Sequence, residues 1–214
     1  MVTIFMGHQV LITLDIDWAP DFMINFVKDI LIENNVKATW FITHNSNYVK
    51  ELEKIDFFEL GIHPNFSSNS TQGNNVGEIL SNLKKIVPTA KSVRTHGLLQ
   101  STRMLEKFHN YDLENDVSLF IPNSNNTPHY LKFAKLYRFP YFWEDDINML
   151  EDKIWTLPES LFQEDRLKIF NFHPLHIYFN FHHIEQYENF KAKNGYKFSD
   201  KSAVDAFINK NSDG

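Results

Sequence analysis

Residues 9–43 read QVLITLDIDWAPDFMINFVKDILIENNVKATWFIT, two apolar runs flanking one amphipathic stretch. The first run, QVLITLD (9–15), and the last, KATWFIT (37–43), have the length and the β-branched or aromatic content of buried strands. Between them, residues 20–35 carry apolar side chains at helical spacing. Phe22, Phe26, Ile30 and Leu31 share one face, and Pro20 stands where the first turn of a helix tolerates it. Strand, helix and strand in this order form the unit from which a helix-covered, βα-repeating sheet is built.

The pattern continues along the chain. Runs at 57–63 (FFELGIH), 90–95 (AKSVRT), 116–122 (DVSLFIP), 135–141 (KLYRFPY) and 167–173 (LKIFNFH) bring the expected strands to seven. VGEILSNLKKIV (76–87) and STRMLEKFHN (101–110) have the periodicity of crossover helices, the second with Ser101 as its cap. No internal repeat, Pro-rich linker or charge block divides the chain, so one α/β domain over 1–214 is expected. NSNNTPH (123–129) reads as loop, and the tail NKNSDG (209–214) is expected to fray.

Composition removes several function classes. With 21 Lys and Arg scattered among 27 acids and a net charge of -6, there is no basic footprint for nucleic acid. The absence of cysteine excludes disulfides, thiolate metal sites and cysteine nucleophiles together. Any metal must be held by His, Asp, Glu or Asn. The opening MVTIFMGHQVLITLD lacks the basic region and small-residue cleavage site of a signal peptide, and no apolar run reaches the roughly 18 residues of a membrane span. A cytoplasmic protein with no integral membrane segment is expected.

Several strand ends carry reactive side chains: Asp15, His44 just after the second, His63, Arg94 and His173. In parallel α/β architectures the C-terminal strand ends form the active face. Asp15 and Asp17 are spaced so that strand alternation aims both to one side, and buried carboxylates require a partner or a metal. Asp17 and His63 are the first metal candidates, since a hydrolytic ion needs about three protein ligands and an open position. Ser67 stands four residues beyond His63, so the third ligand must come from elsewhere, and His96 in VRTHG is best placed. The bland alternative is that either histidine only caps backbone groups. Asp15 is suited to take a proton from water with Arg94 keeping it ionised, unless the two form a plain buried ion pair. His173 is suited to donate a proton, and Asp145 or Asp146 to orient it. His176 is as readily structural as functional, and His182 and His183 read as surface. In RFPYFWEDD (138–146), Phe142 and Trp143 either stack on sugar or fill the core.

These residues, in this order, resemble the polysaccharide deacetylase superfamily, the NodB-homology carbohydrate esterases, and most nearly its divergent members associated with surface-polysaccharide loci. TLDIDWAP is similar to the first motif, with Asp15 in the place of the catalytic base and Asp17 in that of a metal ligand. KATWFIT resembles the family's Ala-Thr-Phe-Phe-Val strand. His63 matches the first histidine of His-(Ser/Thr)-x-x-His-Pro, whose second histidine is replaced by Ser67. Arg94 matches the arginine that braces the base, while His96 and Gly97 depart from the Pro-Tyr that follows it. Trp143 with Asp145 or Asp146 is similar to a loose fourth motif, and His173 to the final histidine, the general acid.

The resemblance implies an irregular (β/α)7 barrel and a divalent metal, zinc, held by Asp17, His63 and His96, with Gly97, Trp143 and Asp146 around the substrate. It implies hydrolysis of an N-acetyl group on an amino sugar of a surface polysaccharide or its precursor. Water activated at the ion with help from Asp15 attacks the carbonyl, the ion and a Gly97 N–H steady the oxyanion, and His173 protonates the departing amine. Two rivals share the same residues. One is another metal-dependent amide or phosphoester hydrolase on this fold, and the other a relative that binds saccharide without turnover, motivated by Ser67.

Overall fold

The computed structural model describes residues 9–122, 127–151, 155–156, 166–195 and 200–211. The loop expected at 123–129 and the fraying expected for the tail therefore fall partly outside the described residues. The quoted segment folds as β1 (Gln9–Asp15), α1 (Asp21–Glu33) and β2 (Ala38–Ile42). β1 and β2 pair in parallel with Ile12 opposite Ala38 and Asp15 opposite Phe41. α1 buries Met23, Ile24, Val27 and Leu31, whereas Phe26 and Ile30 are exposed, which corrects the expected face. The reason is a second packing partner. The rings of Phe22 and Phe26 lie edge-on to Tyr178 of a later helix, at 5.2 and 5.3 Å, while the stripe of Met23, Ile24, Val27 and Leu31 enters the core.

β3 (Phe58–Ile62), β4 (Ser92–Val93), β7 (Leu136–Arg138) and β9 (Leu167–Phe172) lie within four of the other expected runs, whereas β5 (Asn115–Asp116) meets the run expected at 116–122 only at Asp116, and Phe120 further along it makes a single bridge to Tyr141. β6 (His129–Leu131) is an antiparallel edge strand on β7, and β8 (Trp143–Glu144) pairs parallel with β9. The nine described strands run in the order β6-β7-β5-β4-β3-β2-β1-β9-β8. The chain passing from β7 to β8 draws the ends of this sheet together. Tyr141 N–H donates to Leu119 O at 2.9 Å, Ile121 N–H to Tyr141 O at 3.1 Å, and Phe142 N–H to Ile169 O at 2.8 Å. The sixth expected strand, 135–141, thus shortens to β7 and a single bridge at Tyr141, β8 lies beyond it, and the sheet curls into an irregular α/β barrel.

α3 (Val76–Ile86) and α4 (Thr102–Phe108) appear where expected, and α2 (Asn47–Leu52) stands between β2 and β3. Ser101 caps α4 by accepting the N–H of Met104. After β8 come α5 (Asp145–Leu150), then α6 (Pro174–Phe179), α7 (Ile184–Asn194) and the short α8 (Lys201–Val204). Leu14, Trp40, Leu60 and Ile62 join the large core cluster that packs the helices, while Phe41, Val117, Tyr141 and Ile169 form a smaller cluster. The alternation along β2 divides Trp40 from Phe41 in this way. Among the described residues, no helix is long and apolar enough to cross a membrane.

Candidate active site

β1 ends at Asp15, and the chain then leaves the strand by a turn. Asp17 and Trp18 both take positive φ, 36° and 58°, a region that non-glycine residues rarely occupy. This turn, not strand alternation, brings Asp17 to the site. The Trp18 N–H donates to Thr43 Oγ1 at 3.1 Å and so ties the turn to the end of β2. His63 follows β3 directly and is buried, its N–H donating to Ile42 O. His96 follows β4 in a single 3-10 turn, its N–H donating to Pro64 O at 2.9 Å. Gly97, in that turn, has φ 58°, and nothing lies within 4 Å of where a Cβ would stand.

Three separate strand ends therefore deliver one cluster. His63 Nε2 lies 3.1 Å from Asp17 Oδ1, His96 Nδ1 lies 3.2 Å from the same oxygen, and the two ring nitrogens are 3.3 Å apart. Ligands held about 2.0–2.1 Å from a tetrahedral ion stand about 3.3 Å from one another, so this triangle has the size that zinc or a similar cation requires. His63 Nδ1 is buried without a hydrogen-bond partner and lies 3.6 Å from Asp15 Oδ1, the direction in which a metal-ligating histidine gives its second N–H. The donor set of two imidazoles and one carboxylate thus fits a divalent cation. Against the penalty of burial, the hydrogen bonds of His63 and His96 and the nearby histidine charges hold the Asp17 carboxyl well below the usual range. The hydrogen bond to Asp17 raises His96 above an ordinary imidazole.

Asp15 stands on one side of this triangle, in a buried polar network. Arg94 Nη1 donates to Asp15 Oδ1 at 3.2 Å, to Thr13 Oγ1 at 2.9 Å and to Asn171 Oδ1, while Nε donates to Val117 O at 3.1 Å. The guanidinium is fully buried between two rings, with its carbon 4.7 Å from the centre of Phe41 and 4.4 Å from that of Tyr141. Such stacking suits arginine and not lysine. Asn171 Nδ2 donates to Asp15 Oδ2 at 2.9 Å. Glu144 shares the network: it accepts from Tyr141 at 2.8 Å and from Asn171 at 3.3 Å, and burial raises its carboxyl above the usual range.

His173 stands on another side, at the end of β9. Its N–H and its Nδ1 both meet Asp145, at 2.7 Å to Oδ2 and 2.6 Å to Oδ1, and its Nε2 faces Asp17 Oδ2 at 3.8 Å. The orienting acid is therefore Asp145. Asp146 Oδ1 is 3.9 Å from His173 Nδ1 and 3.2 Å from His176 Nε2. Burial opposes the charge on His173, but Asp146, Asp145 and Asp17 together raise it well above the ordinary histidine value. His176 is buried against Tyr187. Trp143 is half-buried, packed on Phe172 and Trp155, with its N–H donated to Asn148 at 3.1 Å.

Asp15, Asp17, His63, His96, Arg94 and His173 thus meet as sequence reading expects. Asn171, Glu144 and Trp18 were not foreseen. Trp18 packs edge-on to His96 with ring centres 5.2 Å apart. Its position next to Asp17 is the signal that could have drawn attention to it. Asn171 is announced only by a polar residue inside the apolar run LKIFNF.

A curled parallel sheet with an Asp-His-His cluster and a buried carboxylate–arginine pair at its strand ends defines a deacetylase-type barrel. The chain belongs to the WbmS-like polysaccharide deacetylase family, whose model matches residues 12–191. It is similar over 98% of its length, with 29% identity and a TM-score of 0.88, to the crystal structure of a candidate polysaccharide deacetylase involved in O-antigen biosynthesis from Bordetella bronchiseptica, 87% of which is covered. A candidate polysaccharide deacetylase from Mycobacterium smegmatis shares the fold, with a TM-score of 0.56 and 12% identity over 79% of this chain and 77% of that one. No curated protein sequence gives a significant match.

Proposed function

We propose that this protein is a metal-dependent hydrolase that removes an N-acetyl group from an amino sugar of a surface polysaccharide or its precursor. The observation that carries the reading is the triangle of Asp17, His63 and His96 donors, set between a braced carboxylate and a braced imidazole. Asp17, His63 and His96 would hold the cation, with zinc favoured by two nitrogen donors and one oxygen donor. When bound, such an ion acts as a Lewis acid and lowers the pKa of water to about 7. The substrate class follows the family and the O-antigen role attached to the Bordetella relative.

In this reading Asp15, held on both oxygens by Arg94 and Asn171, takes the proton of the attacking water. The new bond forms between that oxygen and the acetamide carbon, and the C–N bond then breaks. His173, kept protonated by the Asp145 pairing, gives its Nε2 proton to the leaving amine, so that acetate and a free amino sugar result. A Gly97 N–H steadies the oxyanion, while Trp143 and Asp146 border the sugar. A base, its brace and an acid kept together support turnover over mere binding. Acetate release from N-acetylated amino-sugar oligomers is expected, lost in a chelator and restored by zinc or cobalt. Full activity in the chelator, or release of phosphate from a phosphoester in place of acetate, would refute the reading.

A further inference from the structure

Asp15 has two braces, and only one of them is an arginine. The second is Asn171, fully buried in β9 two residues before His173, so strand alternation aims both side chains the same way. Its amide orientation is fixed by its neighbours. The oxygen faces the Arg94 Nη1 donor, and the nitrogen faces two carboxyl groups, Asp15 Oδ2 at 2.9 Å and Glu144 Oε1 at 3.3 Å. Reversing the amide would set N–H against guanidinium and oxygen against both carboxyls. Arg94 thus holds one oxygen of Asp15 and Asn171 the other, from different strand ends, and the carboxylate cannot turn about its own axis without breaking one of the two bonds.

We infer that Asn171 is a positioning residue for the reaction: it locks the rotation of the Asp15 carboxylate and spaces Asp15 from Glu144 by giving one N–H to each. This rests on the proposed function, in which Asp15 receives the proton of the attacking water. β9 would then supply the general acid directly and the aim of the general base through Asn171, which couples the two ends of the proton path in one strand.

The test compares wild type with Asn171→Leu, which keeps the branched heavy-atom shape and removes both N–H donors. Turnover of an N-acetylated amino-sugar oligomer is measured by acetate release, alongside zinc content. Loss of one hydrogen bond to a charged group corresponds to about a 10- to 100-fold effect. The expected result is a fall of that size in kcat, with KM within about twofold and zinc content unchanged. Should the leucine variant not fold, Asn171→Ala serves, because it removes both donors and adds no charge beside Asp15 and Glu144; the same fall is expected. Wild-type kcat in the folded variant overturns the role of Asn171, as does a loss carried entirely by KM or by zinc. A wild-type protein that releases no acetate overturns the functional reading, and this role with it.

Discussion

Replacing Arg94 by methionine tests whether Asp15 is held by a buried ion pair. Arg94 and Asp15 are both buried, and methionine would leave Asp15 with the Asn171 amide as its one remaining strong donor among the contacts described. Removing one partner of a buried pair costs about 3–5 kcal/mol. In a chain of this size each kcal/mol lowers Tm by about 2–4 °C, so a fall of roughly 6–20 °C is expected by calorimetry. Lysine restores the charge but not the Nε bond to Val117 O or the planar stack between Phe41 and Tyr141. An unpaired buried carbonyl costs about 1–3 kcal/mol and a desolvated cation–π contact about 2 kcal/mol, so Arg94→Lys should recover less than half of the loss. The double variant Arg94→Met/Asp15→Asn should cost less than the sum of the two singles by about 1–3 kcal/mol, because neither then leaves a buried charge alone. A methionine variant within about 1 kcal/mol of wild type, or strictly additive costs, would show that the pair does not hold this site together.

Asp145→Asn should lower the alkaline limb of the pH–rate profile by about 1–2 pH units, since a bond worth about 1.5–3 kcal/mol keeps His173 protonated and one unit is 1.36 kcal/mol. Against burial, His173 is raised by Asp146 and Asp145 and Asp145 is lowered by His173, so the stabilising effect of the His173–Asp145 pair is fully present between their ordinary values of 3.8 and 6.5. It is lost as pH rises through the raised histidine value or falls through the lowered carboxylate value, and denaturation at several pH values should show the gap between variant and wild type closing outside that window. An unmoved alkaline limb would remove His173 as the acid. Gly61→Ala should cost about 1–3 kcal/mol in urea titration, because a Cβ there would meet the Phe41 ring at 2.7 Å and Ser92 O at 2.8 Å, both inside the packed barrel. Unchanged stability would mean that Phe41, and with it the floor beneath Arg94, can shift.

How much was legible follows from where each signal resides. β1, β2, β3 and β9 are predominantly apolar runs of five to seven residues, a local pattern that needs no tertiary information. β4, β5 and β8 have two residues each and are held by cross-strand bonds such as Val117 N–H to Val93 O. The runs at 90–95 and 116–122 point to strands there, but no periodicity can announce that β4 and β5 shrink to two residues or that β8 forms at all. α1 was legible as a helix, but its buried face depended on Tyr178, far along the chain. The site residues at strand ends were legible because parallel topology gathers those ends whatever the loops do. Asn171 was not, since its role arises from a contact with Asp15 across 156 positions of sequence. The choice between Asp145 and Asp146 depends on the phase at which α5 begins, which adjacent acids leave open.

The central claim is that Asp17, His63 and His96 hold the reactive ion, with His96 in place of a histidine that Ser67 does not provide. It is tested most directly by elemental analysis of wild type and His96→Ala, each purified without added metal and then equilibrated with one equivalent of zinc. Wild type is expected to retain the equivalent through gel filtration and the variant to lose it. Equal zinc in both proteins would contradict the assignment of His96 as the third ligand.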